Sequence, residues 1–147
     1  MTPKTLYSIS LESQPAAEDV AAIRLGLIAF DNQHAPVYND QQLTVFLRDE
    51  DNSLVGGLLG ETSWGWLYVK TLWLNETARG QGHGSRLLAL AEEEAIARGC
   101  RHAHLDTLSF QALPFYEGHG YRVFGRLNDF PAGHTLYFLT KELIATA

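Results

Sequence analysis

The glycine-rich stretch from Gly80 to Gly84 has the composition of a turn that holds phosphate. Alternating apolar residues precede it, as at the end of a β-strand, and a helical pattern of apolar residues follows it. The first N–H groups of a helix have no partner within the helix and can point at a bound anion. Glycines let the backbone approach that anion and adopt positive φ angles. The spacing therefore predicts an anion site at this turn.

Two common phosphate motifs do not fit the spacing of this turn. A P-loop needs Lys followed by Ser or Thr after its second glycine, and this turn has no such pair. A dinucleotide fingerprint would need a glycine where Ser85 stands and an acidic residue about 20 residues later, whereas Asp106 comes later than that. Arg79-x-x-Gly82-x-Gly84 instead resembles the Arg/Gln-x-x-Gly-x-Gly/Ala signature of GNAT-superfamily N-acetyltransferases, in which the turn wraps the pyrophosphate of acetyl-CoA.

A second segment, from Ser109 to Tyr121, also resembles these enzymes. It is similar to their Ala-x-x-Phe/Leu-Tyr-x-x-x-Gly-Phe/Tyr segment, with departures at Gln111, where Asn is more usual, and at Pro114. The two motifs occur in the family order, and the resemblance extends over residues 6–143. The chain is most similar in pattern to a branch of small bacterial GNAT proteins with no settled acceptor.

The resemblance implies that acetyl-CoA is the co-substrate and that no metal is required. The pantetheine arm would pair with the backbone of the central strand at its end, and the glycine turn would hold the pyrophosphate. The residues expected to bind acetyl-CoA are Leu72, Trp73, Leu74, Arg79, Gly80, Gln81, Gly82, His83, Gly84, Ser85, Phe110, Gln111 and Phe115.

Acetyl transfer to an amine needs a base for the ammonium, a donor to the thioester carbonyl, and a proton for the leaving thiolate. A strand N–H can serve the carbonyl, and the resemblance places Tyr116 at the sulfur as the acid. For the base we favour Glu76, just after the central strand. Glu61, Asp106 and a water held by backbone carbonyls stay open as alternatives.

The acceptor is expected to be a primary amine of a small, cationic molecule. Its binding residues are sought in the loop at residues 31–36, in the aromatic row of the central strand, on the strand at 103–107 and in the last loop. The candidates are Asp31, His34, Trp64, Asp106, Asp129 and His134. Alternatives are a protein or peptide N-acetyltransferase and a non-catalytic acetyl-CoA sensor.

Length and charge limit the classes of function. The 147 residues predict a single N-acetyltransferase domain over 1–147, with a possible homodimer. A net charge of −6 argues against nucleic acid as a partner and is compatible with a cationic substrate. The sequence shows no signal pattern and no apolar run of about 18 residues, so no membrane partner is expected. The lone Cys100 fits a reducing compartment, and we expect a cytoplasmic protein.

The order of predicted elements must position these groups. Strands are expected at residues 5–11, 43–48, 53–59, 64–74, 103–107, 121–127 and 135–140. Helices are expected from Pro15 to a break at 31–36, from Gly84 to Gly99, and from a Ser109 cap to Gly118 or Gly120. The resemblance adds a short helix near 37–41. Together they predict an α/β GNAT fold: a mixed, mostly antiparallel central sheet, splayed at its two central parallel strands, with helices on both faces.

Overall fold

A computed structural model describes residues 2–144 of the chain. The chain divides into two compact units, Met1–Tyr38 and Asn39–Ala147. The first unit contains helix α1 (Ala17–His34), and the second contains the sheet and two further helices. No helix within residues 2–144 is long and apolar enough to cross a membrane.

The first unit corrects three expectations. Residues 2–12 form neither helix nor strand, so the strand expected at 5–11 is wrong: alternation alone does not make a strand where no neighbouring strand supplies hydrogen bonds. The expected helix forms, but it continues through Asp31 to His34 instead of breaking there. It ends just before Pro36, which disfavours helical angles in the residue before it. No helix forms at 37–41, because strand β1 begins at Gln41.

The second unit is built on a six-stranded sheet. Its strands are β1 (Gln41–Arg48), β2 (Leu54–Ser63), β3 (Trp66–Leu74), β4 (His102–Leu108), β5 (Arg122–Asn128) and β6 (Thr135–Glu142). The spatial order is β1-β2-β3-β4-β6-β5, and a short 3₁₀ turn, Glu76–Ala78, follows β3. Among the strand pairs within residues 2–144, the β3–β4 pair alone is parallel, which confirms the mixed, mostly antiparallel sheet.

The two central strands separate at one end. Their pairing runs from Trp66 opposite His102 to Val69 opposite Leu105, although β3 continues to Leu74 and β4 to Leu108. Beyond that point each strand stays paired on its outer side, β3 with β2 and β4 with β6. The opening between residues 70–74 and 106–108, called the strand gap below, confirms the predicted splay.

Helix α2 (His83–Ala97) connects the parallel strands and packs on one face of the sheet. Its buried side chains join core residues of β3, β4 and β6; they are Leu87, Leu88, Ala91 and Ala95. Helix α3 (Leu113–Gly118) adds Tyr116 to the same core, so both helices of this unit lie on one face. The remaining helix, α1, belongs to the other unit.

Helix α3 does not begin as expected. Its N-cap is Ala112, with no side-chain cap, and Ser109 is not part of the helix. The Ser109 hydroxyl instead accepts a hydrogen bond from the backbone N–H of Thr135 at 3.1 Å, at the start of β6. Ser109 therefore ties a loop to a strand, a tertiary contact that competes with local capping.

Candidate active site

The glycine turn has the backbone geometry that an anion site needs. Gly80 and Gly82 have φ angles of +73° and +83°, in the region that side chains disfavour. Gly82 is the N-cap of α2, so the free N–H groups of that helix follow it directly. A Cβ added at either glycine would meet no atom within 4 Å. Open space therefore lies beside both glycines.

Most predicted cofactor residues line one pocket of about 480 Å³ beside the strand gap. Its lining consists of Leu72, Trp73, Leu74, Arg79, Gly84, Phe110, Gln111, Ala112, Phe115 and Tyr116. Residues from two distant motifs therefore meet at one place, and Ala112 is the only lining residue that we did not name as a site residue. The sequence places the pantetheine and pyrophosphate of acetyl-CoA at these residues, and that placement stays a prediction.

Two predicted turn residues point elsewhere. Gln81 and His83 line a separate pocket of about 240 Å³ on the β1–β2 side. The Gln81 amide donates to the Thr77 carbonyl at 2.9 Å, and His83 Nδ1 is buried without a hydrogen-bond partner. Their side chains therefore lie away from the larger pocket, although their backbone belongs to the turn.

Tyr116 is buried and lines the pocket of about 480 Å³ beside the strand gap. Its ring packs edge-on against Phe115 and Tyr121, with ring centroids 5.2 Å and 5.9 Å away. Burial, and then the negative charge of Asp106, raise the pKa of the Tyr116 phenol to about 12. The phenol therefore keeps its proton at neutral pH and can present it as a hydrogen-bond donor.

The two departures from the second motif have clear structural consequences. Gln111 Oε1 accepts the backbone N–H of Leu108 at 2.9 Å and the Thr107 hydroxyl at 3.4 Å. The side chain thus ties the loop after β4 to the end of that strand. Pro114 stands in the first turn of α3, where its missing N–H leaves no bond unmade. Neither departure disturbs the placement of Tyr116.

The face of the sheet opposite α2 carries polar and aromatic side chains at the strand gap. Tyr68 donates its hydroxyl to Asp106 Oδ2 at 3.3 Å, and its ring stacks on His104 with centroids 4.6 Å apart. Beside them, Lys70 and Glu61 form an ion pair at 3.1 Å. Desolvation by burial lowers the pKa of His104, which favours its neutral form. Sequence reasoning placed Tyr68 in an aromatic row but gave it no role.

The other predicted acceptor and base residues are distributed over several elements. His134 lies in the β5–β6 loop with Asp129, and its ring packs edge-on against Phe110, 4.9 Å away, next to the pocket. Trp64 lies in the β2–β3 turn at the opposite end of β3, roughly 25 Å from the strand gap at about 3.3 Å per residue. Glu76 is exposed at the start of the 3₁₀ turn.

Asp31 and His34 belong to the first unit, in the last turn of α1. The His34 ring packs against Phe30 in the same helix, with centroids 4.5 Å apart.

Sequence reasoning also missed His119. A hydrogen bond of 2.9 Å joins its Nε2 to the Ser85 hydroxyl in the first turn of α2, and its ring packs against Phe115. The contact links the anion turn to the helix that carries Tyr116. No local pattern signals it, because the two residues are 34 positions apart.

The family of the chain follows from its similarity to known proteins. The model of the acetyltransferase (GNAT) family matches residues 4–121, most of the chain and parts of both units. The chain belongs to the GNAT family. It is accordingly an acetyl-CoA-dependent N-acetyltransferase, as the two motifs predict.

Relatives of this GNAT enzyme come from bacteria. An acetyltransferase of Agrobacterium fabrum is 42% identical over 126 residues, which cover 86% of this chain and 92% of that protein. Blasticidin-S acetyltransferase of Streptomyces morookaense is 41% identical over 115 residues, covering 76% and 85%. A crystal structure of an acetyltransferase from Agrobacterium tumefaciens matches with a TM-score of 0.85 and 39% identity, covering 92% and 99%. The match to a solved structure confirms the predicted fold.

Proposed function

We propose that this enzyme acetylates a primary amine of a small, cationic molecule by direct attack while both substrates are bound. The observation that carries the proposal is the strand gap, which opens the sheet between the buried Tyr116 on one face and Asp106 on the other. An acceptor can therefore approach a thioester from the face opposite its sulfur. A relative named for the antibiotic blasticidin S and the net charge of −6 support a small cationic acceptor.

In this proposal, different residues bind acetyl-CoA, polarise its carbonyl and transfer protons. Acetyl-CoA supplies an acetyl group already activated as a thioester. The N–H groups of the glycine turn hold its pyrophosphate, and the free edge of β3 at 72–74 pairs with the pantetheine. A backbone N–H of Leu74 or Trp73 polarises the carbonyl, and the Tyr116 hydroxyl meets the sulfur as the C–S bond breaks. A carboxylate near the gap takes a proton from the ammonium of the acceptor. The candidates for this base are Glu76, Glu61 and Asp106.

Release of coenzyme A thiol tests the function directly. Acetyl-CoA is incubated with the enzyme and, in turn, polyamines, amino sugars, aminoglycosides, blasticidin S, amino acids and short peptides. We expect release above the amine-free rate with one of the small cationic classes. Stimulation by peptides alone would instead favour a protein N-acetyltransferase. No stimulation by any amine, with acetyl-CoA still bound tightly, would favour a non-catalytic sensor.

Two further parts of the proposal concern the setting of the reaction. Acetyl-CoA is a metabolite of the cytoplasm, so we place the enzyme there. We propose a homodimer because GNAT proteins often form pairs. Sedimentation of the purified chain tests this proposal, and a single species at 16.3 kDa would contradict it.

A further inference from the structure

Asp106 stands where the central strands separate. The last pair of the β3–β4 ladder is Val69 opposite Leu105, so Asp106 is the first residue of β4 beyond it. Its neighbours Leu105 and Thr107 are buried on the α2 face. Because side chains alternate along a strand, the Asp106 carboxylate lies on the other face, at the mouth of the strand gap.

A tyrosine on the neighbouring strand holds this carboxylate. The Tyr68 hydroxyl donates to Asp106 Oδ2 across the gap at 3.3 Å, and stacking on His104 fixes the Tyr68 ring. Burial and the charge of Asp106 raise the pKa of Tyr68, so its phenol stays protonated and remains a donor. One carboxylate oxygen is thereby occupied, and the other is left for a positively charged partner.

The negative charge of Asp106 also affects a side chain on the opposite face of the sheet. It contributes, after burial, to the raised pKa of Tyr116 on the opposite face. Asp106 lies at the mouth of the strand gap, and Tyr116 lines the pocket beside the gap on the opposite face of the sheet. An acid on one face and a carboxylate on the other match the two proton transfers that amide formation needs.

The other two carboxylates are placed less well for this task. Glu61 is paired with Lys70 at 3.1 Å, which neutralises its charge. Glu76 and Asp106 are both exposed, but Glu76 lies in the 3₁₀ turn beyond the end of β3, whereas Asp106 lies in β4 where the gap begins. The titratable groups on the same face as Asp106 are Tyr68 and Lys70 from β3, His104 from β4 and Glu61 from β2, whereas Tyr116 of α3 lies on the opposite face.

We propose that Asp106, positioned by Tyr68, binds the ammonium of the acceptor and takes the proton that frees its lone pair. The inference rests on the proposed function and assigns the base within it. The neutral nitrogen forms a C–N bond to the carbonyl carbon, and the C–S bond breaks. Tyr116 gives its proton to the thiolate and regains one from the second nitrogen proton through solvent. Asp106 releases the first proton to water, so each turnover frees one proton.

The experiment compares Asp106→Asn, Asp106→Glu, Tyr68→Phe and wild type as intact chains, with spermidine, kanamycin and glucosamine as acceptors. Asp51→Asn, in the exposed β1–β2 turn, is the matched control for loss of a carboxylate. Titration calorimetry with acetyl-CoA and thermal unfolding accompany the kinetics. We expect Asp106→Asn to lose at least 100-fold in kcat/KM for the amine, within the range of general-base effects, while Kd for acetyl-CoA stays within twofold.

The pH profile separates a base from a structural residue. The wild type should reach a plateau in kcat/KM, whereas Asp106→Asn should gain about tenfold per pH unit as free amine accumulates. Asp106→Glu should recover part of the loss, and Tyr68→Phe should raise KM for the amine three- to tenfold with a smaller change in kcat. If Asp106→Asn were as active as an active wild type, the assignment of Asp106 as the base would be wrong, and the proposed function would stand. A wild type inactive with all three amines overturns the proposed function itself.

Discussion

At the scale of single residues, Tyr116 is buried, and we propose it as the acid that protonates the thiolate. Its side chain lines the pocket that also contains the end of β3, and its pKa of about 12 keeps the proton on the phenol. A buried phenol next to an incoming thioester acts as a donor that solvent does not replace. The role rests on one oxygen atom, so substitution by phenylalanine isolates it.

The Tyr116→Phe variant should lose turnover without losing its cofactor. We expect kcat to fall by about 100-fold, the lower range for general acid catalysis, because the variant lacks the phenol proposed to protonate the thiolate. Calorimetric Kd for acetyl-CoA should change less than threefold, since the ring and its packing on Phe115 remain. An unchanged kcat would show that the thiolate leaves without this proton.

The raised pKa of Tyr116 also predicts how stability depends on pH. The phenol ionises near 10 in the unfolded chain and near 12 in the native state, so the native state holds the proton more tightly between these values. The free energy of unfolding should therefore be unaffected by this group below pH 10 and fall on the order of 1–3 kcal/mol as pH rises to 12. Urea unfolding of wild type should show a steeper decline over this range than Tyr116→Phe. Equal slopes would contradict the raised pKa.

At the scale of elements, the turn before α2 joins backbone geometry to charge. Gly82 adopts a φ of +83° immediately before the free N–H groups of the helix. A side chain here strains the backbone, and an acidic one also places its charge where the pyrophosphate is expected. Strain and charge can be separated by two substitutions at the same position.

Gly82→Asp should abolish acetyl-CoA binding, whereas Gly82→Ala should weaken it about tenfold or less. Alanine introduces only the cost of positive φ, about 1 kcal/mol, while aspartate adds repulsion of the phosphates. Calorimetry gives both affinities, and thermal unfolding shows whether each variant is folded. If Gly82→Asp bound acetyl-CoA as tightly as wild type, the prediction that the pyrophosphate lies at this turn would be wrong.

A partly buried ion pair holds α2 against the sheet. Glu92 accepts the Tyr121 hydroxyl at 3.0 Å and pairs with Lys141 of β6 at 2.7 Å. The neighbouring Glu93 is exposed, although the two look alike in the sequence. Removing the charge of Glu92 leaves a lysine without its counter-ion in a partly buried site.

Glu92→Gln should lower the free energy of unfolding by about 1–3 kcal/mol, and Glu93→Gln by less than about 0.5 kcal/mol. Urea unfolding at pH 7 measures both. If both variants unfolded like wild type, the ion pair would contribute nothing to stability.

At the scale of the whole molecule, the charge of −6 acts on both substrates in opposite directions. A polycationic acceptor is attracted to the protein, and the anionic acetyl-CoA is repelled. Salt screens both effects, with a Debye length falling from about 10 Å at 0.1 M to about 3 Å at 1 M.

Raising NaCl from about 0.05 to about 0.5 M, a roughly tenfold rise in ionic strength, should increase KM for spermidine several-fold. The singly charged glucosamine should show a much smaller change, which serves as the control. Steady-state thiol release measures both constants. If KM for spermidine did not change with salt, the net negative charge of the protein would not contribute to spermidine binding.

Much of the fold and of the cofactor site could be predicted from the sequence. Glycine spacing and apolar periodicity are local properties, so the turn at 80–84, α2 and the six strands of the second unit were predicted with shifts at their ends. The strand expected at 5–11 was not confirmed, since periodicity cannot supply a pairing partner. The Ser109 cap was wrong because a distant N–H competes for its hydroxyl.

The sequence by itself determined the family, the co-substrate and the pattern of faces along each strand. Only the tertiary structure decided where the β3–β4 ladder stops and therefore which side chains meet there. Tyr68 and Asp106 are 38 positions apart, and the register of two strands brings their side chains into contact. Register depends on packing across the whole sheet, because each strand's position is set by the neighbours on both sides of it.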